Sequence, residues 1–255
     1  MNPVDYMTDE DLLVNPTARI PVCLCIDTSG SMLACEGGVD TGETVTRDGI
    51  TYHVVSGGGP AVLDRVNDGL KLLYDALLAS SYTKDAVDLA IVLFDDTARL
   101  YLPFTGISNL GEAPQIPLEE IHDSTVMSQG IRIAIDHLND RKKSYKANAV
   151  DYFQPQIILI TDGETNANDS IDAIQQEVRD LCAAKKLTFL PIDIESLTEE
   201  AREFLKAFGG KPPVHAEDIV GFFEWYSKSV ASIGASNPGE SVPVDVDGIS
   251  KWGDW

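Results

Sequence analysis

Asp27, Ser29 and Ser31 occupy alternate positions in the stretch Asp27-Thr28-Ser29-Gly30-Ser31. A turn carrying them can aim one carboxylate and two hydroxyls at a single point. These are hard oxygen donors, which suit Mg²⁺ or Mn²⁺ and suit Zn²⁺ poorly. The same residue types also serve an ordinary strand-to-helix turn. The pentapeptide alone leaves both readings open.

The elements that must position these residues can be read from periodicity. Val22-Cys23-Leu24-Cys25-Ile26 is a compact apolar run that predicts a buried strand ending at Asp27. Gln156-Ile157-Ile158-Leu159-Ile160-Thr161 predicts a second, followed at once by Asp162-Gly163-Glu164-Thr165-Asn166. Pro60 is expected to open a helix whose buried stripe is Val62, Leu63, Val66, Leu70, Leu73 and Leu77. Val87 to Phe94 and Arg99 to Phe104 are strands at hairpin spacing and should run antiparallel. Met127, Ile131, Ala134, Ile135 and Leu138 mark a helix, and Ile171, Ile174, Val178, Leu181 and Cys182 mark the next. Leu187 to Ile194 reads as a strand weakened by Pro191. Thr198 is expected to cap a helix running to Gly209, Val214-His215 is a short strand, and Phe222 to Ile233 closes the pattern as a helix.

This alternation predicts an α/β fold: a doubly wound, mostly parallel central sheet with one antiparallel edge strand and helices on both faces. Ligands of such sheets bind outside the carboxyl ends of the strands, where strand order reverses. Asp27 and Asp162 end the two most apolar strands, so both are expected in one crevice.

Thr125, in Asp123-Ser124-Thr125-Val126-Met127, adds a further hydroxyl, and Asp162 lies within Thr161-Asp162-Gly163. With Asp27-Thr28-Ser29-Gly30-Ser31 these segments resemble the metal-ion-dependent adhesion site of von Willebrand factor type A domains, D-x-S-x-S plus a separate Thr and a T-D-G Asp. The resemblance runs over roughly residues 19–233. Within the family, Phe94-Asp95-Asp96-Thr97-Ala98-Arg99 and the segment from Phe222 to Ile233 look like bacterial TerY-like, tellurium-resistance-associated proteins. The resemblance implies a binding module, not an enzyme. Ser29, Ser31 and Thr125 would hold Mg²⁺, or Mn²⁺ or Ca²⁺, through hydroxyls. Asp27 and Asp162 would act largely through metal-bound water. An open coordination position would take an Asp or Glu of a partner protein. Taken singly, Thr125 also suits a helix N-cap and Asp162-Gly163 a turn.

The alternative is a Mg²⁺-dependent phosphoryl-transfer hydrolase: Asp27 after one strand and Asp162-Gly163 after another superficially resemble the haloacid-dehalogenase-like phosphatases. That resemblance implies a nucleophilic Asp27 and a general acid two residues on, where this chain has Ser29, and a hydroxyl is a poor acid near neutral pH. The net charge of -22, from 19 basic and 41 acidic residues, disfavours nucleic acid and anionic membrane as partners. Cys23, Cys25, Cys35 and Cys182 form no C-x-x-C pair and read as reduced thiols. With no secretory signal or membrane-spanning run visible, a cytoplasmic location is expected. His53, His122, His137 and His215 are dispersed without ligand spacing, and Asp245-Val246-Asp247-Gly248 lacks the rest of a calcium loop.

The expected organisation is a loose N-terminal arm over 1–18, the domain over 19–235, and a flexible tail over 236–255. Residues 34–59 interrupt the domain. There Asp48-Gly49 between two β-rich runs predicts a hairpin, with Val45 opposite Tyr52 and Thr46 opposite Thr51. Its closeness to Ser31 predicts that it stands beside the metal site.

Overall fold

The structure, a computed structural model, describes residues 10–35, 37–47, 50–122, 124–161, 169–194, 199–209, 213–215 and 219–234. In chain order these form α1 (Glu10–Val14), β1 (Ile20–Asp27), a 3-10 turn (Gly30–Leu33), β2 (Val39–Arg47), β3 (Ile50–Ser56) and α2 (Val62–Ala79). There follow α3 (Thr83–Ala86), β4 (Val87–Phe94), β5 (Ala98–Gly106), α4 (Met127–Ala147), β6 (Gln156–Thr161) and α5 (Ile171–Ala183). The last elements are β7 (Thr188–Asp193), α6 (Glu199–Lys206), β8 (Val214–His215) and α7 (Ile219–Gly234).

The main sheet has the order β5-β4-β1-β6-β7-β8. β1 pairs in parallel with β4 on one side and with β6 on the other, and only β5 runs antiparallel, at the edge. Every residue of β1 is buried, as its unbroken apolar run requires of a strand covered on both faces. Alternate residues feed two cores. Ile20, Val22, Leu24 and Ile26 pack with α2 and α7, while Cys23 and Cys25 pack with α4 and α5. The chain goes out from β1 to β4 and β5, then returns past β1 to β6. The carboxyl end of β1 is therefore where strand order reverses, and Asp27 stands there.

Two close approaches set the helix positions. A Cβ on Gly69 of α2 would lie 2.4 Å from Phe223 of α7. A Cβ on Gly130 of α4 would lie 2.9 Å from Phe94 at the end of β4.

Several expectations needed adjustment. α2 starts at Val62 with Ala61 as its N-cap, two residues after Pro60. α6 stops at Lys206, and residues 207–209 continue as a tighter turn with bonds such as Phe208 N–H to the Leu205 carbonyl. Thr198 lies outside the described residues. Pro191 sits inside β7, but β8 covers only Ile192 and Asp193, so among the described residues no further strand lies beside Pro191 on that side. The four cysteines form no disulfide; Cys23 and Cys25 are buried, and burial pushes both thiols up.

The N-terminal arm, expected to be loose, is docked from Glu10 onward. Asp88, fully buried at the start of β4, accepts hydrogen bonds from Arg141 Nη2 (2.6 Å), Tyr145 Oη (2.6 Å) and Arg19 Nη1 (3.2 Å). Asp11 adds ion pairs to Arg19 and Arg141 at 3.5 and 3.6 Å. Leu12 is buried against Tyr145 and Val150, and Asn15 Nδ2 donates to the Asp85 carbonyl. This network lies at the edge of the sheet opposite Asp27.

β2 and β3 form a separate two-stranded ribbon. Val45 opposes Tyr52 and Thr46 opposes Thr51, as the Asp48-Gly49 signal predicts; those two turn residues lie outside the described residues. The ribbon is rooted by the Cys35–Ala61 bridge and by Val62 N–H donating to the Ala34 carbonyl. Val39, Val45 and Val55 on it are exposed. Among the described residues no helix is long and apolar enough to cross a membrane.

The Gly130 contact yields a prediction. Alanine favours a helix interior by about 1 kcal/mol over glycine, yet here its methyl would overlap Phe94. Gly130→Ala should therefore lower stability by about 1–3 kcal/mol, read as a reduced midpoint in denaturant unfolding.

Candidate metal centre

Asp27 is the last residue of β1 and has no solvent exposure. Its Oδ1 accepts the Ser29 N–H at 2.8 Å, which bends the chain into a short turn immediately after the strand. Its Oδ2 accepts the Thr161 hydroxyl at 2.9 Å, from the last residue of β6. The turn brings the Ser29 and Ser31 hydroxyls to 2.9 Å from one another. Ser29 is buried and Ser31 exposed, so the pair faces outward from the sheet's carboxyl edge.

A second acidic strand end supports this turn. Asp95, directly after β4, is 1% exposed and gathers four groups. Its Oδ2 accepts from Thr28 Oγ1 (2.9 Å) and Arg99 Nη1 (2.6 Å) and lies 3.0 Å from His122 Nδ1, while Oδ1 accepts the Thr97 N–H (3.1 Å). Burial alone would raise the Asp95 carboxyl; the hydrogen bonds from Arg99, Thr97, His122 and Thr28 outweigh it and hold it below the ordinary carboxylate range. Arg99 is shared with Glu120 through its Nε at 2.8 Å. The backbone follows the same path. His122 N–H donates to the Thr28 carbonyl, Ser29 and His122 form a bridge, and Val126 N–H donates to the Asp95 carbonyl.

These bonds bring the segment around 122–126 beside the Ser29 turn. Thr125 on it is buried and precedes α4, whose N-cap is Val126. Thr125 stands one residue before that N-cap position. Asp27, Ser29, Ser31 and Thr125 are on the elements that meet at the carboxyl end of β1. Asp162 lies outside the described residues, directly after Thr161, which is bonded to Asp27.

The donor set fits a hard divalent ion. Neighbouring ligands on an octahedral ion with bonds of about 2.1 Å stand about 3 Å apart, close to the separation of the two serine hydroxyls. Among the described residues no group of three or more His, Cys, Asp and Glu side chains could hold a metal.

Reading the sequence missed Asp95, Arg99, Glu120 and His122 as supports. The available signal was Asp95 itself, an acid placed directly after an apolar strand as Asp27 is. The four histidines lack ligand spacing, but His122 acts through a carboxylate.

Asp95→Ala should remove the shared acceptor and leave Thr28, Arg99 and His122 to find others. Breaking a buried ionic network by deleting one partner costs about 3–5 kcal/mol. Because Arg99 is partly exposed, the lower end is expected, measured by urea unfolding; Asp96→Ala, an exposed neighbour, should change stability by less than about 0.5 kcal/mol.

Residues 22–164 match the family model for the von Willebrand factor type A domain. No curated protein matches the chain. Among solved structures, it is similar to the conserved hypothetical protein BatB from Bacteroides thetaiotaomicron, with TM-score 0.55 and 17% identity over 85% of this chain and 100% of that one. It is also similar to an aerotolerance-related membrane protein from Bacteroides fragilis, with TM-score 0.51 and 14% identity over 84% and 99% of the two chains. The PilB minor pilin from Streptococcus sanguinis gives TM-score 0.56 and 13% identity, covering 87% of this chain and 64% of that one. At these identities the likenesses speak for the fold alone. The chain belongs to the von Willebrand factor type A domain family.

Proposed function

We propose that this protein is a metal-dependent protein-binding module that captures an Asp or Glu side chain of a partner. Ser29, Ser31 and Thr125 hold Mg²⁺ through their hydroxyls, with Mn²⁺ and Ca²⁺ as substitutes. Asp27 and Asp162 stand behind them and act through metal-bound water. The observation that carries this reading is the pair of serine hydroxyls, 2.9 Å apart at the carboxyl end of the central strand. Asp27 supports it. Both of its oxygens already accept hydrogen bonds from the protein, which suits an indirect role better than direct ligation. Phosphoryl transfer would need a general acid where Ser29 stands, and a hydroxyl is a poor acid near neutral pH.

An ion held mainly by neutral hydroxyls keeps most of its positive charge, and that charge draws a carboxylate into the open position. The field of a chain carrying -22 opposes acidic partners at long range, so the attraction must be local. The setting we propose is cytoplasmic, in a stress or signalling system of the TerY-like kind. The support is the sequence likeness around Phe94–Arg99 and Phe222–Ile233.

Calorimetric titration with Mg²⁺ tests the centre. Asp27→Ala should abolish binding; leaving the Thr161 hydroxyl and Ser29 N–H without their acceptor should cost about 1–3 kcal/mol of stability without unfolding the domain. Wild-type Mg²⁺ affinity in that variant would overturn the assignment. Partner binding should be lost in EDTA and restored by excess Mg²⁺.

The ribbon rooted next to Ser31 generates a second expectation. Replacing residues 36–57 by a short Gly-Ser link should leave the fold and Mg²⁺ affinity in place, since the apolar cores lie elsewhere. Partner affinity, measured by surface plasmon resonance, should change by at least tenfold, or about 1.4 kcal/mol. An unchanged affinity would mean that the ribbon takes no part in recognition.

A further inference from the structure

We propose that His137 is an acid-sensitive latch on the edge of the sheet. Its neutral ring holds the bulged centre of β5 against α4. Protonation releases that centre while the rest of the domain stays folded. The inference uses none of the proposed metal ligands and stands whether or not an ion binds.

β5 is the antiparallel edge strand, and within the sheet it pairs with β4 alone. That pairing is interrupted in the middle. Thr105 lies opposite Leu89 and Leu102 opposite Ile91, so Pro103 and Phe104 together face Ala90. Two residues against one form a β-bulge, which leaves a residue outside the ladder. Pro103 has no N–H to give. Phe104 has one, and it donates to Nε2 of His137 at 3.1 Å. The imidazole thus takes the place of a strand carbonyl. The Phe104 ring is stacked on the same imidazole, with centroids 4.9 Å apart and planes inclined by 16°. One side chain of α4 therefore meets both the backbone and the ring of a single β5 residue.

That bond fixes the protonation state. A ring nitrogen that accepts a hydrogen bond carries no proton, so the imidazole is neutral. Protonation would point one N–H at another, and the new charge would sit half-buried. Burial lowers His137 below the ordinary imidazole range; Asp140 raises it and Arg141 lowers it further. Both of those charges are on α4 itself. Around the bulge, β5 contributes only the uncharged Leu102, Pro103 and Thr105. On β4, Ala90 faces the bulge, and Asp88 is taken up by Arg19, Arg141 and Tyr145.

The direction of the response follows. With the folded value depressed, the unfolded or opened chain binds the proton first as pH falls. The contribution of the neutral ring is complete above about pH 6.5 and is lost as pH falls from there through the folded value. A strand held on one side only, with a ladder bond replaced by this side chain, is where local opening costs least. Acid therefore loosens β5 before the strands at the centre of the sheet.

The test follows amide hydrogen exchange by NMR on the full chain from about pH 7.5 to about pH 5, corrected for the intrinsic pH dependence of exchange. Protection of the Phe104 amide should fall at least about tenfold, the ratio that one unit of pKa displacement gives. Protection of Leu24 in β1 and Ile158 in β6 should not change. His137→Gln, whose amide oxygen accepts at any pH, should keep Phe104 protected throughout. His137→Phe, which keeps the stacking and accepts nothing, should leave Phe104 poorly protected at every pH. The ring nitrogen shifts of His137 in the wild type should titrate below about pH 6.5; this measurement keeps the test open if neither variant folds. Titration at or above that value would overturn the proposal. So would Phe104 protection that acid leaves unchanged, or a pH response retained in His137→Gln. Equal loss at Leu24 and Ile158 would overturn it too, because acid would then be unfolding the whole domain.

Discussion

The carboxyl edge of the sheet depends on holding one carboxylate, Asp27, where water does not reach. A buried carboxylate is tolerated only when its oxygens are met by donors. Here one oxygen takes the Ser29 amide and the other the Thr161 hydroxyl. The first bond forces the turn that brings the Ser29 and Ser31 hydroxyls together. The second joins the ends of β1 and β6, the strands that Ser29 and Ser31, and Asp162, follow in sequence. The serine turn therefore follows from satisfying Asp27, while the Asp95 network brings the Thr125 segment beside it.

Three aspartates are buried at the ends of β1 and β4, and their partners differ. Asp88 is met by Arg19 and Arg141, and Asp95 by Arg99. Those two are anchored by cations supplied by the fold, one docking the N-terminal arm and the other joining the Ser29 turn to the 122–126 segment. The Ser29 amide and the Thr161 hydroxyl that meet Asp27 are neutral. The described bonds to Asp27 orient its carboxylate at the end of β1, while those to Asp88 and Asp95 also tie distant segments together.

The sheet and its order of elements were legible because each strand next to β1 is buried on both faces and reads as one apolar run. The ribbon register was legible because a two-residue Asp-Gly turn leaves little choice of pairing. The motif residues Ser29 and Ser31 could be placed because three positions on one turn are local. What could not be read was tertiary. The dependence of Thr28, Arg99 and His122 on Asp95 joins residues 4 to 67 positions apart. The Ser128 N–H in the first turn of α4 is met by Asp169, 41 residues further along, and nothing near Val126 announces it. The docking of residues 10–18 depends on Arg19 and Arg141, which meet Asp88 only after β4 and α4 have packed. Helix starts moved for a simpler reason: Pro60 tolerates several positions at a helix entrance, and the chain uses Ala61 as the cap.

The ribbon at 39–56 follows a different logic from the rest of the domain. Its two ends meet at the Cys35–Ala61 bridge, so the chain leaves the fold and re-enters it at nearly the same point. Such an insertion disturbs the core little, because loop closure grows only slowly with length. The ribbon in turn gains little from the core. A lone two-stranded sheet is marginally stable in water, and this one exposes Val39, Val45 and Val55. Cross-strand threonine contacts such as Thr46 with Thr51, and the His53–Asp40 pair, hold it locally on polar groups that water also serves. Its contribution to the domain's own stability is therefore small, while its root lies within a few residues of Ser31. An element that adds little to folding, is rooted beside the serine turn and presents β-branched side chains to solvent fits the part in partner recognition proposed for it.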